Sequence, residues 1–246
     1  MKVFGLIGQS LQHSFSPQYF KEKFVRENLP DHQYLLFPLE DAADIRALLK
    51  DHPEISGLNV TIPFKQDVIP LLDSIDPVAK KIGAVNTIKI IRHSDKAELV
   101  GFNTDAYGFR HSFPGLENYK PALILGTGGA SLAVKFVLTQ IQIPYLSVSR
   151  YAKTKHEICY GDLTKAIISK YKLIINATPL GMFPNLNEAP PLHYAAIGEA
   201  HFLYDLVYNP PQTLFLEKGK IAGAQIQNGE QMLQLQADRA WTIWND

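Results

Sequence analysis

An α/β fold in two lobes is predicted by three observations on this chain. Short β-rich runs alternate with amphipathic stretches at βα spacing, the pattern restarts near residue 120, and a glycine turn there joins an apolar run to a helical one. The first half offers strands near residues 3–8, 33–37, 56–61 and 85–91. Between them, one helix is expected after Ser16-Pro17, with Ser16 as cap and proline at the first helical position, running through Phe20, Phe24 and Val25. Another follows Glu40-Asp41, with Ile45, Leu48 and Leu49 at helical spacing. In the second half, Ala122-Leu123-Ile124-Leu125 reads as a strand that enters Gly126-Thr127-Gly128-Gly129-Ala130-Ser131, and a helix is expected over residues 132–141. Further strands follow near 145–149, 173–176 and 202–206. A last helix, about 229–244, carries Met232, Leu233, Leu235, Ala240 and Trp241 and is expected to pack back on the first lobe. The predicted division is therefore 1–104 with 229–246 in one lobe and 105–228 in the other, flanking a cleft.

Composition narrows the function. With 246 residues and 46% hydrophobic content, the chain can bury a sizeable core. Lys+Arg and Asp+Glu both number 24, so no global basic field recruits nucleic acid, and a small-molecule partner is the default. A single cysteine, Cys159, excludes an intramolecular disulfide and any multi-cysteine metal site, which fits a reducing compartment; no metal is expected. The apolar stretch Val3–Gly8 is too short for a signal-peptide core, and no run approaches the ~18 apolar residues of a membrane span, so a cytoplasmic protein without membrane partners is expected. Monomer and homodimer both stay open.

Chemistry concentrates at Asn59-Val60-Thr61-Ile62-Pro63-Phe64-Lys65. In an extended chain Asn59, Thr61 and Pro63 share one face and Val60 and Ile62 the other, and proline then ends the strand. A lysine delivered just past such an edge can carry a proton when a partner charge or burial tunes it; a solvated surface lysine is the plain alternative. The glycine turn allows close approach of backbone to a pyrophosphate at a helix N-terminus, although Ser131 stands where the usual fingerprint has its third glycine. At the end of the next strand, Ser149-Arg150 occupies the place that selects the cofactor. No acidic residue lies between Leu146 and His156, while Arg150, Lys153 and Lys155 do, so NADP is favoured over NAD.

These motifs, in order, resemble those of shikimate dehydrogenases nearly end to end. The resemblance rests on His13-Ser14-Phe15-Ser16-Pro17, Asn59 to Lys65, Gly83-Ala84-Val85-Asn86-Thr87, Gly101-Phe102-Asn103-Thr104-Asp105 with Gly108, the Gly126 to Ser131 turn, Asn176-Ala177-Thr178-Pro179-Leu180-Gly181-Met182, and Met232-Leu233 with Gln236. It implies a Rossmann-like NADP-binding lobe and NADP-dependent interconversion of 3-dehydroshikimate and shikimate, with Lys65 and Asp105 as the catalytic pair. Ser14 and Ser16, with Tyr208, would take the substrate carboxylate, and Asn59, Thr61, Asn86, Asp105 and Gln236 the ring hydroxyls. For the cofactor it points to Gly126, Thr127, Gly128, Gly129, Ala130, Ser149, Arg150, Lys153, Asn176, Thr178, Met182 and Leu206. Three departures concern cofactor geometry: Ser149-Arg150-Tyr151 in place of Asn-Arg-Thr, Gln231 where glycine is common, and Pro179 after Asn-Ala-Thr. An NAD-using quinate/shikimate dehydrogenase and a non-catalytic nucleotide- or metabolite-binding protein are the competing expectations. Asp105 has a plainer role open to it as a helix cap, and Cys159 is expected to be structural.

Overall fold

The computed structural model describes every residue except Ser94, Asp95, Lys153 and Lys155, so the basic candidates at 153 and 155 lie outside the described residues. The chain divides into two compact units, Met1–Tyr107 with Gln236–Asp246, and Gly108–Leu235.

The elements that begin in the first unit are β1 (Lys2–Gly8), α1 (Ser16–Arg26), β2 (His32–Pro38), α2 (Ile45–Asp51), β3 (Ile55–Val60), β4 (Ser74–Ile75), α3 (Pro77–Ile82), β5 (Thr87–Arg92), β6 (Ala97–Phe102) and α4 (Asp105–Ser112). Six strands form one sheet in the order β2-β1-β3-β5-β6-β4. β1 runs parallel to β2 and β3, whereas β5 is antiparallel to both β3 and β6. The uniform βα reading of this half is thus corrected: β5 and β6 form a hairpin, and the polar Glu98 and the glycine at 101 hid the alternation of its second strand. Ser16 is also corrected, being the first residue of α1, with Phe15 at the cap position and no side-chain cap bond. Asp41 instead caps a 3-10 turn, Ala42–Asp44, in a reciprocal box with Asp44, and α2 follows directly.

Two apolar clusters hold this unit. One joins Ile7, Ile45, Leu58, Phe64, Val85 and Leu99, and the other joins Phe4, Phe20, Phe24, Tyr34, Ala240 and Trp244. Trp244 stacks on Phe4 at 4.8 Å and donates its indole N–H to the Ile88 carbonyl at 3.0 Å. A side chain at Gly57 would meet the indole at 2.4 Å, so the strand leaves room there for the tryptophan.

The second unit begins with the end of α4. It contains β7 (Ala122–Leu125), α5 (Gly129–Gln140), β8 (Tyr145–Ser149), β9 (Glu157–Cys159), α6 (Lys165–Lys170), β10 (Leu173–Asn176), β11 (Phe202–Asp205), α7 (Leu214–Ile221), β12 (Gln225–Gln227) and the start of α8 (Glu230–Asn245). Its sheet, in the order β12-β11-β10-β7-β8-β9, is parallel throughout. β7, β10 and β11 are buried at every residue, as parallel strands covered on both faces must be. The order reverses between β7 and β10, which is the switch point where doubly wound sheets bind ligands. α5 starts at Gly129 rather than Leu132, so the glycine turn is itself the helix start. Among the described residues no helix is long and apolar enough to cross a membrane.

Candidate active site

Lys65 is delivered by a turn that the core anchors. β3 ends at Val60, one residue earlier than the alternation predicts, and Ile62 is 63% exposed rather than sharing a buried face with Val60. Phe64 then plunges into the core and its amide bonds the Thr61 carbonyl at 3.0 Å, so the chain turns over Thr61–Phe64. The Lys65 carbonyl accepts from Val85 N at 2.7 Å, which ties the lysine backbone to the segment leading into Asn86. Its ammonium donates to Asp105 Oδ2 at 2.6 Å, and the two side chains are only 14% and 8% exposed. The solvated-lysine alternative is thereby removed. Asp105 is the first residue of α4, where Asn103 Oδ1 accepts from Ala106 N at 3.1 Å, and the Asp105 carboxylate faces the lysine.

The pair is the end of a buried hydrogen-bond chain with a fixed sense. Asn86 Nδ2 lies 2.9 Å from Asp105 Oδ1, 2.9 Å from Thr104 Oγ1 and 3.3 Å from Gln236 Oε1, three acceptors for two hydrogens. Asn86 Oδ1 accepts from Thr104 N at 2.7 Å, which sets the amide orientation, because a backbone N–H can only donate. Thr87 Oγ1 sits between Asn86 Oδ1 and Asn59 Nδ2, at 3.2 Å from each, and Tyr34 donates to Asn59 Oδ1 at 2.8 Å. Asn59, Asn86, Asp105 and Gln236, predicted from separate motifs, therefore meet in one network. Tyr34, Thr87 and Thr104 belong to it and were not predicted, since a strand tyrosine and buried threonines read as packing residues.

Ser14 and Ser16 stand together at the start of α1, Ser14 Oγ accepting from Ser16 N at 3.3 Å, and Thr61 is half-buried on its turn. Tyr208 belongs to the second unit, on the loop after β11, and is half-buried.

The nucleotide candidates gather at the switch point of the second unit. Gly126 has φ +103°, where a side chain is strained, and a Cβ there would meet Thr178 at 2.9 Å. Gly128 is extended, and a Cβ on it would enter open space, which leaves the approach to the first turn of α5 clear for a phosphate group. The serine at 131 is accommodated because its hydroxyl donates to the Gly128 carbonyl at 2.6 Å, closing the turn where glycine would leave it open. Ser149 is buried and spends its hydroxyl on the Tyr151 carbonyl at 2.7 Å, shaping the loop on which Arg150 is exposed. Asn176 and Thr178 bond each other, Thr178 Oγ1 donating to Asn176 Oδ1 at 2.6 Å, so both shape the loop after β10, on which Met182 is 40% exposed. Cys159 accepts from Ala152 N at 3.4 Å, which fits a structural role.

One further residue in this unit escaped prediction. Asp205, fully buried at the end of β11, accepts from Asn176 Nδ2 at 2.9 Å, Val207 N at 3.0 Å and Thr213 Oγ1 at 2.6 Å. It fastens the loop after β10, the loop bearing Leu206 and the start of α7. Burial pushes its carboxyl up to about 7, against the pull of those three donors. A lone Asp closing an apolar run was the available signal.

A parallel nucleotide-binding unit with an open glycine turn, together with a buried Lys–Asp pair amid amide and hydroxyl groups, defines a two-unit α/β oxidoreductase with a Rossmann-like nucleotide domain. Residues 6–88 match the shikimate dehydrogenase substrate binding domain family. The chain is 36% identical to a shikimate dehydrogenase (NADP(+)) of Carboxydothermus hydrogenoformans, an alignment covering 99% of this chain and 91% of that protein. Crystal structures of shikimate dehydrogenase 1 from Peptoclostridium difficile and of shikimate 5-dehydrogenase from Thermus thermophilus, the latter with NADP(H) and shikimate, superpose with TM-scores of 0.86 and 0.84. They share 37% and 28% identity, over 100% and 99% of this chain and 92% and 93% of theirs. The chain belongs to the shikimate dehydrogenase family.

Proposed function

We propose that the chain catalyses the reversible, NADP-dependent reduction of 3-dehydroshikimate to shikimate, a step toward chorismate and the aromatic amino acids, in the cytoplasm. The observation that carries this reading is the buried Lys65–Asp105 contact, 2.6 Å long and braced by Asn86. NADPH, held by the nucleotide unit, would supply the hydride. As the ketone carbon accepts it, negative charge develops on oxygen; the Lys65 ammonium stabilises that charge and hands over a proton, a role worth roughly 10²- to 10⁴-fold in rate. Asp105 holds the ammonium with one oxygen, and Asn86 holds the other oxygen of Asp105, so the donor is aimed before substrate arrives. In oxidation the amine form of Lys65 takes the proton back.

Ser14 and Ser16 with Tyr208 bind the carboxylate, and Asn59, Thr61, Asn86, Asp105 and Gln236 select the ring hydroxyls. Each of the latter discriminates because an absent hydroxyl leaves a buried polar atom unpaired. The glycine turn, the loop after β10 and Leu206 hold the dinucleotide, and the exposed Arg150, with no acidic residue beside it, selects the 2′-phosphate. The test is an activity matrix of shikimate and quinate against NADP and NAD, read by the near-ultraviolet absorbance of the reduced nicotinamide. Turnover of shikimate with NADP should dominate. Preference for NAD would overturn the cofactor assignment, and inactivity in all four combinations would overturn the enzyme.

A further inference from the structure

We propose that Tyr34 is a positioning residue of the substrate site: its hydroxyl holds the Asn59 side chain in the orientation that the Asn86 carbonyl sets, so that Asn59 offers a ligand acceptance only, and so selects a ring hydroxyl that donates. The inference rests on the reading of Asn59 as a substrate group. It starts from the backbone carbonyl of Asn86, which lies 3.3 Å from Asn59 Nδ2. A carbonyl accepts and never donates, so the amide nitrogen must face it, and the amide oxygen must face Tyr34. The tyrosine proton is thereby committed to Asn59 Oδ1 at 2.8 Å.

The ring that carries this hydroxyl has little freedom. It is 8% exposed and stacks on Phe20 at 4.4 Å with the planes 6° apart. Burial raises the phenol's pKa, so it remains a donor throughout the working range. Both Asn59 N–H bonds are spent inside the protein, on the Asn86 carbonyl and on Thr87 Oγ1, and one lone pair of Oδ1 is left over. A ketone oxygen placed there would meet lone pair with lone pair. A hydroxyl would donate. Asn59 accepts and Lys65 donates, so the pair fixes which way round the ring binds: the reacting ketone at the lysine and a hydroxyl at the asparagine.

Steady-state kinetics of Tyr34→Phe test this. The KM for shikimate should rise roughly 5- to 20-fold, with kcat within about threefold and the KM for NADP unchanged. In an Asn59→Ala background the same change should add less than about twofold, because Tyr34 acts through Asn59. A shikimate KM within about twofold of wild type, or losses that multiply in the double variant, would overturn the proposal. A measurement on the wild type guards against a variant that fails to fold. Fluorine keeps the size of a hydroxyl but cannot donate, so at one of the two non-reacting ring positions the fluoro analogue should bind as weakly as the deoxy analogue. If both fluoro analogues bind as tightly as shikimate, the proposal fails. A wild type that turns over no shikimate sinks the dehydrogenase reading and this inference with it, whereas an active wild type with an unaltered Tyr34→Phe variant sinks the inference alone.

Discussion

Each unit buries a carboxylate at the heart of its polar groups, Asp105 in the first and Asp205 in the second, and the two are kept in opposite ways. Asp105 faces an ammonium at 2.6 Å and an amide at 2.9 Å, so its charge is answered by a charge. Asp205 is held by an amide, a backbone N–H and a hydroxyl, all neutral, and burial pushes its carboxyl up to about 7. A buried ion pair keeps a cation aimed at a reacting atom, while a buried carboxylate among neutral donors fastens loops and carries a desolvation cost when ionised. In the proposed function the first arrangement serves chemistry and the second serves shape.

The comparison breaks most sharply at Lys65. Lys65→Ala should lower kcat by about 10³-fold or more while leaving NADP binding nearly intact, because the proton donor is lost and the nucleotide unit is untouched. Equal turnover of variant and wild type would remove the catalytic role. Asp105→Asn should follow with a loss of roughly 10²-fold, since the lysine keeps its place only in part once the opposing charge is gone; a KM change with full kcat would instead make Asp105 a binding group only.

Asp205→Asn should act on stability rather than on turnover, and its sign follows from the raised carboxyl. The folded state binds the Asp205 proton more tightly than the unfolded chain does, so this residue's contribution falls as pH rises from about 4 to about 7 and is level above that. The variant should flatten that part of the curve of melting temperature against pH, and an unchanged slope would show that Asp205 ionises in the fold as easily as in the open chain. The smallest effect is expected for Thr213→Val, which removes one hydroxyl from Asp205 and from the start of α7. A loss of about 1–2 kcal/mol in chemical denaturation, with kcat unaltered, would match a purely structural tie.

The nucleotide unit was more legible in the sequence than the first unit, for a physical reason. Parallel strands buried on both faces appear as unbroken apolar runs, as at Ala122–Leu125 and across residues 173–175, and a glycine turn punctuates the first of them. Short elements such as α3, α6 and β12 carry too little periodicity to stand out, and β6 mixes polar residues into its alternation. At the candidate site, the strand end followed by a lysine exposed Lys65, and the resemblance to shikimate dehydrogenases pointed to Asn86 and Asp105. The side chains that orient them did not stand out: Tyr34 and Thr87 gain meaning only from what lies 25 to 28 residues away in sequence, at Asn59. Ser16 shows the reverse error, a residue type that suits a cap sitting inside the helix, because Phe15 occupies the position before it.

The place of Trp244 over Gly57 has a consequence for the order in which this protein comes into being. Ribosomal synthesis releases the nucleotide unit as one continuous stretch, Gly108–Leu235, able to collapse as it emerges. The other unit waits. Its aromatic layer, Phe4, Phe20 and Tyr34, is finished only when the residues from Gln236 onward leave the ribosome and the indole reaches the groove kept for it by a missing side chain. Until then the strand that carries Asn59 and the strand that begins just after Asn86 lack that cover, so a truncated nascent chain would expose a sticky aromatic face.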